Sequence, residues 1–173
     1  MRTDHFEIER KYLIRMPDRS YLESAAAMTQ IEQTYLCAEP GVTARVRKRG
    51  HEGAWAYTHT QKMHISDVRR YEDEREIGEE EYRELLRQAD PARNVIHKER
   101  WVLPYEGQTF EIDIYPFWED RAIMEIEMTD EAQTLRFPSQ IQIIREVTAD
   151  RRYSNAALSR QIPMDDIEKG TEP

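Results

Sequence analysis

The feature that most constrains the fold is an alternation of charged and apolar residues with a period of two, which recurs along almost the whole chain. In the stretch FEIERKYLI, the charged residues Glu7, Glu9 and Lys11 lie two positions apart, and mostly apolar residues fill the positions between them. Because successive side chains of a strand point to opposite faces, this pattern predicts a strand with one charged face and one apolar face. About eight or nine such strands predict an antiparallel sheet that is large enough to close on itself.

Further strands and a few helices follow from the same kind of pattern. Strands are expected near residues 5–14, 31–38, 42–49, 55–63, 69–77, 95–104, 109–115, 121–128 and 141–148. Helices are expected after Asp18, over EEEYRELLRQAD from Glu79, after Thr129 and after Ser154, where apolar residues recur at helical spacing or a capping residue is present. Residues 1–160 are predicted to form one domain, which a polar tail follows over 161–173.

Composition restricts the partners of the chain. Its formal net charge of -9 argues against a nonspecific nucleic-acid binder. No apolar run approaches the roughly 20 residues of a membrane span, and the first residues lack the apolar segment of a secretory signal, so a cytoplasmic protein without a membrane partner is expected. Cys37 is the only cysteine, which excludes an intrachain disulfide and a thiolate metal cluster. The chain is expected to act as a monomer or homodimer.

The charged strand faces carry paired acids or paired bases rather than mixed polar residues. The pairs are Arg45 and Arg47, Glu72 and Glu74, Lys98 and Arg100, Glu111 and Asp113, and Glu125 and Glu127. One such strand is typical of a half-solvated sheet, but these five strands and the first strand, with Glu7 and Glu9, favour a charged interior, in which unneutralised ions would cost several kcal/mol each. Carboxylates suit Mg²⁺ or Mn²⁺, and Arg and Lys suit phosphate oxygens. The pattern therefore indicates a small polyanion, such as a triphosphate, that arrives with a divalent metal.

The phosphate-binding loops of other protein classes are missing from the sequence. There is no GxxxxGK[ST] stretch and no GxGxxG stretch among the six glycines. Phosphate recognition is therefore expected to come from side chains.

In these residues the chain resembles the CYTH superfamily, also called the triphosphate tunnel metalloenzymes. The ExExK signature of that family matches Glu7, Glu9 and Lys11. The series that follows it also matches over roughly residues 5–158, and comprises Arg45 and Arg47, Lys62, Arg70 with Glu72 and Glu74, Lys98 and Arg100, Glu111 and Asp113, Glu125 and Glu127, and EVT at Glu146–Thr148. Arg145 precedes Glu146 where many relatives have a glycine, which leaves the role of Glu146 open.

The resemblance implies an α+β fold in which an eight-stranded antiparallel closed β-barrel forms a tunnel, with helices packed on the outside. The implied metal ligands are Glu7, Glu9, Glu125 and Glu127, with Glu72, Glu74, Asp113 and Glu111 as further candidates and Mg²⁺ or Mn²⁺ as the cofactor. The implied phosphate ligands are Lys11, Arg45, Arg47, Lys62, Arg70, Lys98 and Arg100. Lys11 is also the candidate for orienting or deprotonating the attacking water.

Several functions are compatible with this site. Metal-assisted hydrolysis of inorganic triphosphate at a terminal phosphoryl group is the leading hypothesis. The alternatives of the same class are a nucleoside or thiamine triphosphatase and a class IV-like adenylate cyclase. A cyclase would need a pocket for base and sugar, and nothing in the sequence identifies one. The alternative of a different class is a noncatalytic module that binds polyphosphate or nucleotide, which would need the bases but not the acidic pairs.

Overall fold

The computed structural model describes residues 8–66 and 69–168, without the side chains of residues 64–66, 69 and 70. The elements in chain order are β1 (Ile8–Arg15), α1 (Arg19–Ala25), β2 (Ala27–Leu36), β3 (Val42–His51), β4 (Ala54–Ser66), β5 (Arg69–Ile77), α2 (Glu79–Leu85), β6 (Ile96–Tyr105), β7 (Gln108–Ile114), β8 (Arg121–Met128), β9 (Ile143–Glu146) and α3 (Asn155–Leu158). Short 3₁₀ helices lie at Leu86–Gln88 and Arg151–Tyr153.

The chain divides into two compact units. The first unit contains residues 8–28, 99–153 and 163–168, and the second contains residues 29–98 and 154–162. The ladders within the first unit follow the order β6-β7-β8-β1-β9, and those within the second follow β5-β4-β3-β2. All of these ladders are antiparallel, which confirms the predicted sheet type.

Closure of the sheet into an eight-stranded barrel was expected from the resemblance, and this expectation is wrong. Over residues 8–66 and 69–168 the sheet has nine strands and is not closed. One edge of β1 pairs with β8, and its other edge pairs with β9 through Tyr12, Leu13 and Ile14. β9 therefore occupies the edge of β1 that closure of an eight-stranded sheet would require.

The predicted helices are present with one exception. Asp18 caps α1 by accepting a hydrogen bond from Ser20 N at 2.8 Å, and Ser154 caps α3 by accepting from Ala157 N at 3.1 Å. No helix begins directly after Thr129 in this described part of the chain, because Asp130 accepts from Ala132 N at 2.9 Å and closes a turn there. The prediction of a helix in that segment is wrong.

Apolar packing in the first unit is concentrated on one face of its strands. The buried cluster includes Tyr12 and Ile14 of β1, Phe110 and Ile112 of β7, Met124 and Ile126 of β8, and Leu22 of α1. Burial of a Leu side chain such as that of Leu22 stabilises a fold by about 1.5–3 kcal/mol. The helix α1 thus lies on the apolar face, and the charged residues of β1, β7 and β8 lie on the other.

The second unit has the same two-sided construction. Leu36, Ala44 and Val46 form a buried cluster with Tyr82 of α2, and Tyr57 packs against it. Alternate residues of β3, including Arg45 and Arg47, lie on the opposite face. Among the described residues, no helix is both long enough and apolar enough to cross a membrane.

Candidate functional site

The first unit places Lys11 beside an acidic row. Lys11 lies directly opposite Glu125 in the β1–β8 ladder, and Glu111 lies opposite Glu125 in the β7–β8 ladder. The Lys11 Nζ atom is 3.3 Å from Glu125 Oε1, and the two side chains are only 15% and 14% exposed. A partly buried ion pair of this kind is screened less than a surface pair, so both side chains are held in place.

The backbone of Lys11 is tied to the segment that follows β9. Lys11 N donates to Thr148 Oγ1 at 3.0 Å, and Val147 N donates to Lys11 O at 2.8 Å. The Nζ atom also donates to the backbone oxygen of Tyr153 at 3.5 Å. Sequence reasoning gave Thr148 no role of its own, although it is the last residue of the EVT stretch.

Two further carboxylates face each other next to this pair. Glu9 of β1 lies opposite Glu127 of β8, and both side chains are exposed. Like charges directly across a ladder destabilise a sheet, and a bound cation would offset that repulsion. Glu7, the third residue of the predicted acidic group, lies outside the described residues.

Arg100 and Asp113 form a buried pair in the same unit. Arg100 donates from Nε and Nη2 to the two oxygens of Asp113, each at 2.8 Å, and from Nη1 to Glu111 Oε2 at 2.7 Å. Burial lowers the pKa of Arg100, but the hydrogen bonds and charges of Asp113 and Glu111 outweigh it and raise the pKa. The structure therefore brings a predicted phosphate ligand together with two predicted metal-ligand candidates.

The second unit holds the other bases on the polar face of β3, β4 and β5. Lys62 Nζ is 3.8 Å from Glu72 Oε2, and Arg47 Nη2 is 3.9 Å from Glu74 Oε1. Glu74 also accepts from Thr60 Oγ1 at 2.8 Å. Thr60 was missed by the sequence analysis, since a lone threonine in a strand carries no signal of its own.

Three polar atoms on this face are buried and have no hydrogen-bond partner among the described residues. They are Arg45 Nε, Thr58 Oγ1 and Gln33 Oε1. Arg45 is on β3 and Thr58 is on the neighbouring strand β4. Gln33 is on β2, opposite Arg47 of β3. Buried polar groups are normally hydrogen-bonded, so these atoms indicate a place where a polar ligand can bind.

Three predicted residues remain: Lys98, Glu146 and Arg70. Lys98 is buried, and its Nζ donates to Asn155 Oδ1 of α3 at 3.3 Å. Glu146 is exposed, with its Oε1 at 3.8 Å from Arg10 Nε. It lines an open cavity of about 860 Å³ together with Glu9 and Thr148. The side chain of Arg70 lies outside the described part.

The carboxylates of the first unit fit a hard divalent cation by their chemistry. No group of three or more His, Cys, Asp or Glu is arranged to hold a metal within the part of the chain that the structure describes. Mg²⁺ is nevertheless usually bound by one or two carboxylates, with waters and substrate phosphates as its other ligands. Glu9 and Glu127 lie opposite each other in the β1–β8 ladder, and Glu125 lies on the same strand as Glu127, which agrees with that mode of binding.

No protein-family model matches the sequence, and no curated protein matches it. Solved structures do resemble the chain, and two of them match it over nearly its whole length. One is the crystal structure of the inorganic triphosphatase NE1496, whose sequence is 29% identical to this one. The match covers 94% of this chain and 98% of the NE1496 chain, with a TM-score of 0.61. A second structure, of the hypothetical protein NE1496, is also 29% identical, covers 91% of this chain and 99% of its own, and has the same TM-score. This likeness confirms the resemblance to the triphosphate tunnel metalloenzymes.

Proposed function

We propose that this chain is a divalent-metal-dependent hydrolase of triphosphates, with inorganic triphosphate as its preferred substrate. The observation that carries the proposal is the partly buried Lys11–Glu125 pair, which lies beside the opposed Glu9 and Glu127 on one face of β1 and β8. The likeness to NE1496, an inorganic triphosphatase, extends over nearly the whole of both chains and supports the same reaction class.

Glu9, Glu125 and Glu127 are the residues that would hold the metal. A bound Mg²⁺ or Mn²⁺ supplies charge neutralisation at phosphate oxygens and lowers the pKa of a bound water. Their carboxylates stand on two paired strands, so the backbone ladder fixes their spacing. Rigid placement of this kind reduces the reorganisation that the site needs during the reaction.

Lys11 would orient the attacking water or a terminal phosphoryl oxygen. An ammonium has three N–H donors, and two of those of Lys11 are directed to Glu125 and to the oxygen of Tyr153. One donor is left for a water or a phosphoryl oxygen. Positioning the water in line with the leaving pyrophosphate is the main contribution that a protein makes to phosphoryl transfer.

Arg45, Arg47 and Lys62 of the second unit would bind phosphate oxygens. Guanidinium groups match pairs of phosphate oxygens, and a lysine acts as a point charge. The unpartnered Nε of Arg45 supports this role, because a bound phosphate would supply the hydrogen bond that it lacks. Arg100 has a different role in the proposal, since its contacts with Glu111 and Asp113 fix those two acids.

A substrate panel tests the proposal. Tripolyphosphate, ATP, GTP and thiamine triphosphate are each incubated with Mg²⁺, with Mn²⁺ or with EDTA, and all products are identified. The proposal predicts metal-dependent release of phosphate, fastest from tripolyphosphate. Formation of cyclic AMP and pyrophosphate from ATP would instead identify the protein as a cyclase. Binding of a triphosphate without any product would instead identify a noncatalytic module.

A further inference from the structure

A buried tyrosine in the first unit is the centre of an ionic cluster that the proposed reaction does not use. Tyr153 is 1% exposed, and its hydroxyl accepts a hydrogen bond from Arg145 Nη2 at 3.1 Å and donates to Asp165 Oδ2 at 3.2 Å. A buried hydroxyl with a partner on each side is fixed in its orientation. The position of the Tyr153 ring is therefore set by Arg145 and Asp165.

Asp165 holds this cluster together. It accepts from Arg145 Nη2 at 3.1 Å and from Arg152 Nη1 at 3.2 Å, in addition to the hydroxyl of Tyr153. The guanidinium carbons of Arg145 and Arg152 each lie 5.6 Å from the centre of the Tyr153 ring. Two cations beside one ring repel each other, and the carboxylate of Asp165 bridges both of them.

The backbone of the same tyrosine contacts Lys11. The backbone oxygen of Tyr153 accepts a hydrogen bond from Lys11 Nζ at 3.5 Å, and Tyr153 N donates to Asp150 O at 3.2 Å within the 3₁₀ turn. The ring of Tyr153 is thus fixed by Asp165 while its carbonyl faces the ammonium. A neutral oxygen can direct the ammonium without adding a second negative charge next to Glu125.

We infer that Asp165 is a positioning residue, which acts through Tyr153 to hold the Lys11 ammonium between Glu125 and the backbone oxygen of Tyr153. The inference rests on the proposed function, in which Lys11 orients a water or a phosphoryl oxygen. Without the bridge from Asp165, the turn that carries the backbone oxygen of Tyr153 is no longer held in place. The Lys11 ammonium then keeps its contact with Glu125 but loses its contact with that oxygen. The geometry of the remaining N–H donor then changes.

The segment that carries Asp165 has anchors of its own. Trp118 Nε1 donates to Pro163 O at 3.1 Å, Ile167 is buried, and Arg15 Nη1 is 3.0 Å from Glu168 Oε1. These contacts do not involve the carboxylate of Asp165. Replacement of Asp165 by asparagine is therefore expected to leave the segment in place.

Steady-state kinetics test the inference in the full chain. Asp165→Asn and Tyr153→Phe are each expected to lower kcat for tripolyphosphate by about tenfold with KM unchanged, because orientation and not binding is lost. The double variant is expected to lose no more than either single variant, since both act through one contact. Asp166→Asn is the matched control, because the neighbouring Asp166 is exposed and, among the described residues, accepts a hydrogen bond from Glu168 N alone. Losses that multiply in the double variant, or an unchanged kcat, would overturn the inference.

A spectroscopic measurement separates this inference from the proposed function. The chain has five lysines, so the side-chain ammonium ¹⁵N resonance of Lys11 can be assigned by its loss in Lys11→Arg. An ordered ammonium gives an observable signal in the wild type and in Asp166→Asn, and the signal is expected to broaden or shift in Asp165→Asn. An unchanged Lys11 signal in Asp165→Asn would contradict the positioning role. A wild type that releases no phosphate but shows the signal change would contradict the proposed function instead.

Discussion

Arg100 donates to both carboxylate oxygens of Asp113, from Nε and Nη2, and both distances are 2.8 Å. Arg100 is 8% exposed and Asp113 is 1% exposed, so the pair is shielded from water. A two-pronged arrangement of this kind is the strongest geometry that a guanidinium and a carboxylate can adopt. The pair fixes β6 against β7 on the charged face of the first unit.

The first prediction concerns the stability that depends on this pair. Asp113→Asn is expected to lower the free energy of unfolding by about 3 kcal/mol, because it leaves a buried guanidinium incompletely paired. Glu111→Gln is the control, since Glu111 also contacts Arg100 but its side chain is 39% exposed, and it is expected to cost much less. Urea denaturation of both variants measures the difference. Equal losses from the two variants would show that burial of the pair does not matter.

The second prediction concerns phosphate binding by β3. Arg45→Ala is expected to raise the KM for tripolyphosphate by about tenfold to a hundredfold, the value of a lost charge-assisted hydrogen bond. Lys48→Ala removes a positive charge from the opposite face of the same strand, where Lys48 lies over the Trp55 ring, and is expected to leave KM unchanged. Steady-state kinetics at saturating Mg²⁺ give both values. A similar rise in KM for Lys48→Ala would indicate a general effect of charge and not a phosphate contact.

The third prediction concerns acid stability. The hydrogen bond from Arg152 is the largest cause of the lowered pKa of Asp165, whose unperturbed value is 3.8. A carboxylate with a lowered pKa in the folded state stabilises the fold above pH 3.8, and this stabilisation is lost as the pH falls below 3.8 towards the folded pKa. Asp165→Asn is therefore expected to lose less stability on acidification than the wild type.

Urea denaturation at neutral pH and at about pH 3 measures this difference. Asp166→Asn removes a carboxylate that contacts neither arginine, and its acid sensitivity should match that of the wild type. If Asp165→Asn lost as much stability as the wild type over that pH range, the ion pairs of Asp165 would have no part in acid stability.

The strands could be predicted from sequence because the alternation that defines them is local. Each of the nine predicted strands is present, and β5 and β8 have the predicted bounds. The start of β2 was misplaced, since Met28 matches the apolar spacing of the preceding helix but belongs to the strand. The turn after Thr129 was missed because the aspartate that closes it is also a common residue at the start of helices.

Pairing between distant residues could not be predicted in the same way. The prediction of a closed barrel was wrong because the alternation within a strand does not determine which strands pair with it, and β9 occupies an edge of β1. The partnership of Arg100 with Asp113 depends on the β6–β7 register, which the alternation leaves free. The contact of Tyr153 with Asp165 joins a 3₁₀ turn to a segment without regular structure, and no sequence period marks it.

Phosphate release from tripolyphosphate tests most directly whether the charged residues on β1 and β8 carry out metal-dependent hydrolysis. The wild type is expected to release phosphate with Mg²⁺ or Mn²⁺ and to stop when EDTA is added. Lys11→Ala and Glu9→Ala are expected to abolish release while circular dichroism and urea denaturation show a folded protein, and Lys48→Ala is expected to retain it. Release at nearly the wild-type rate by folded Lys11→Ala or Glu9→Ala would contradict the account.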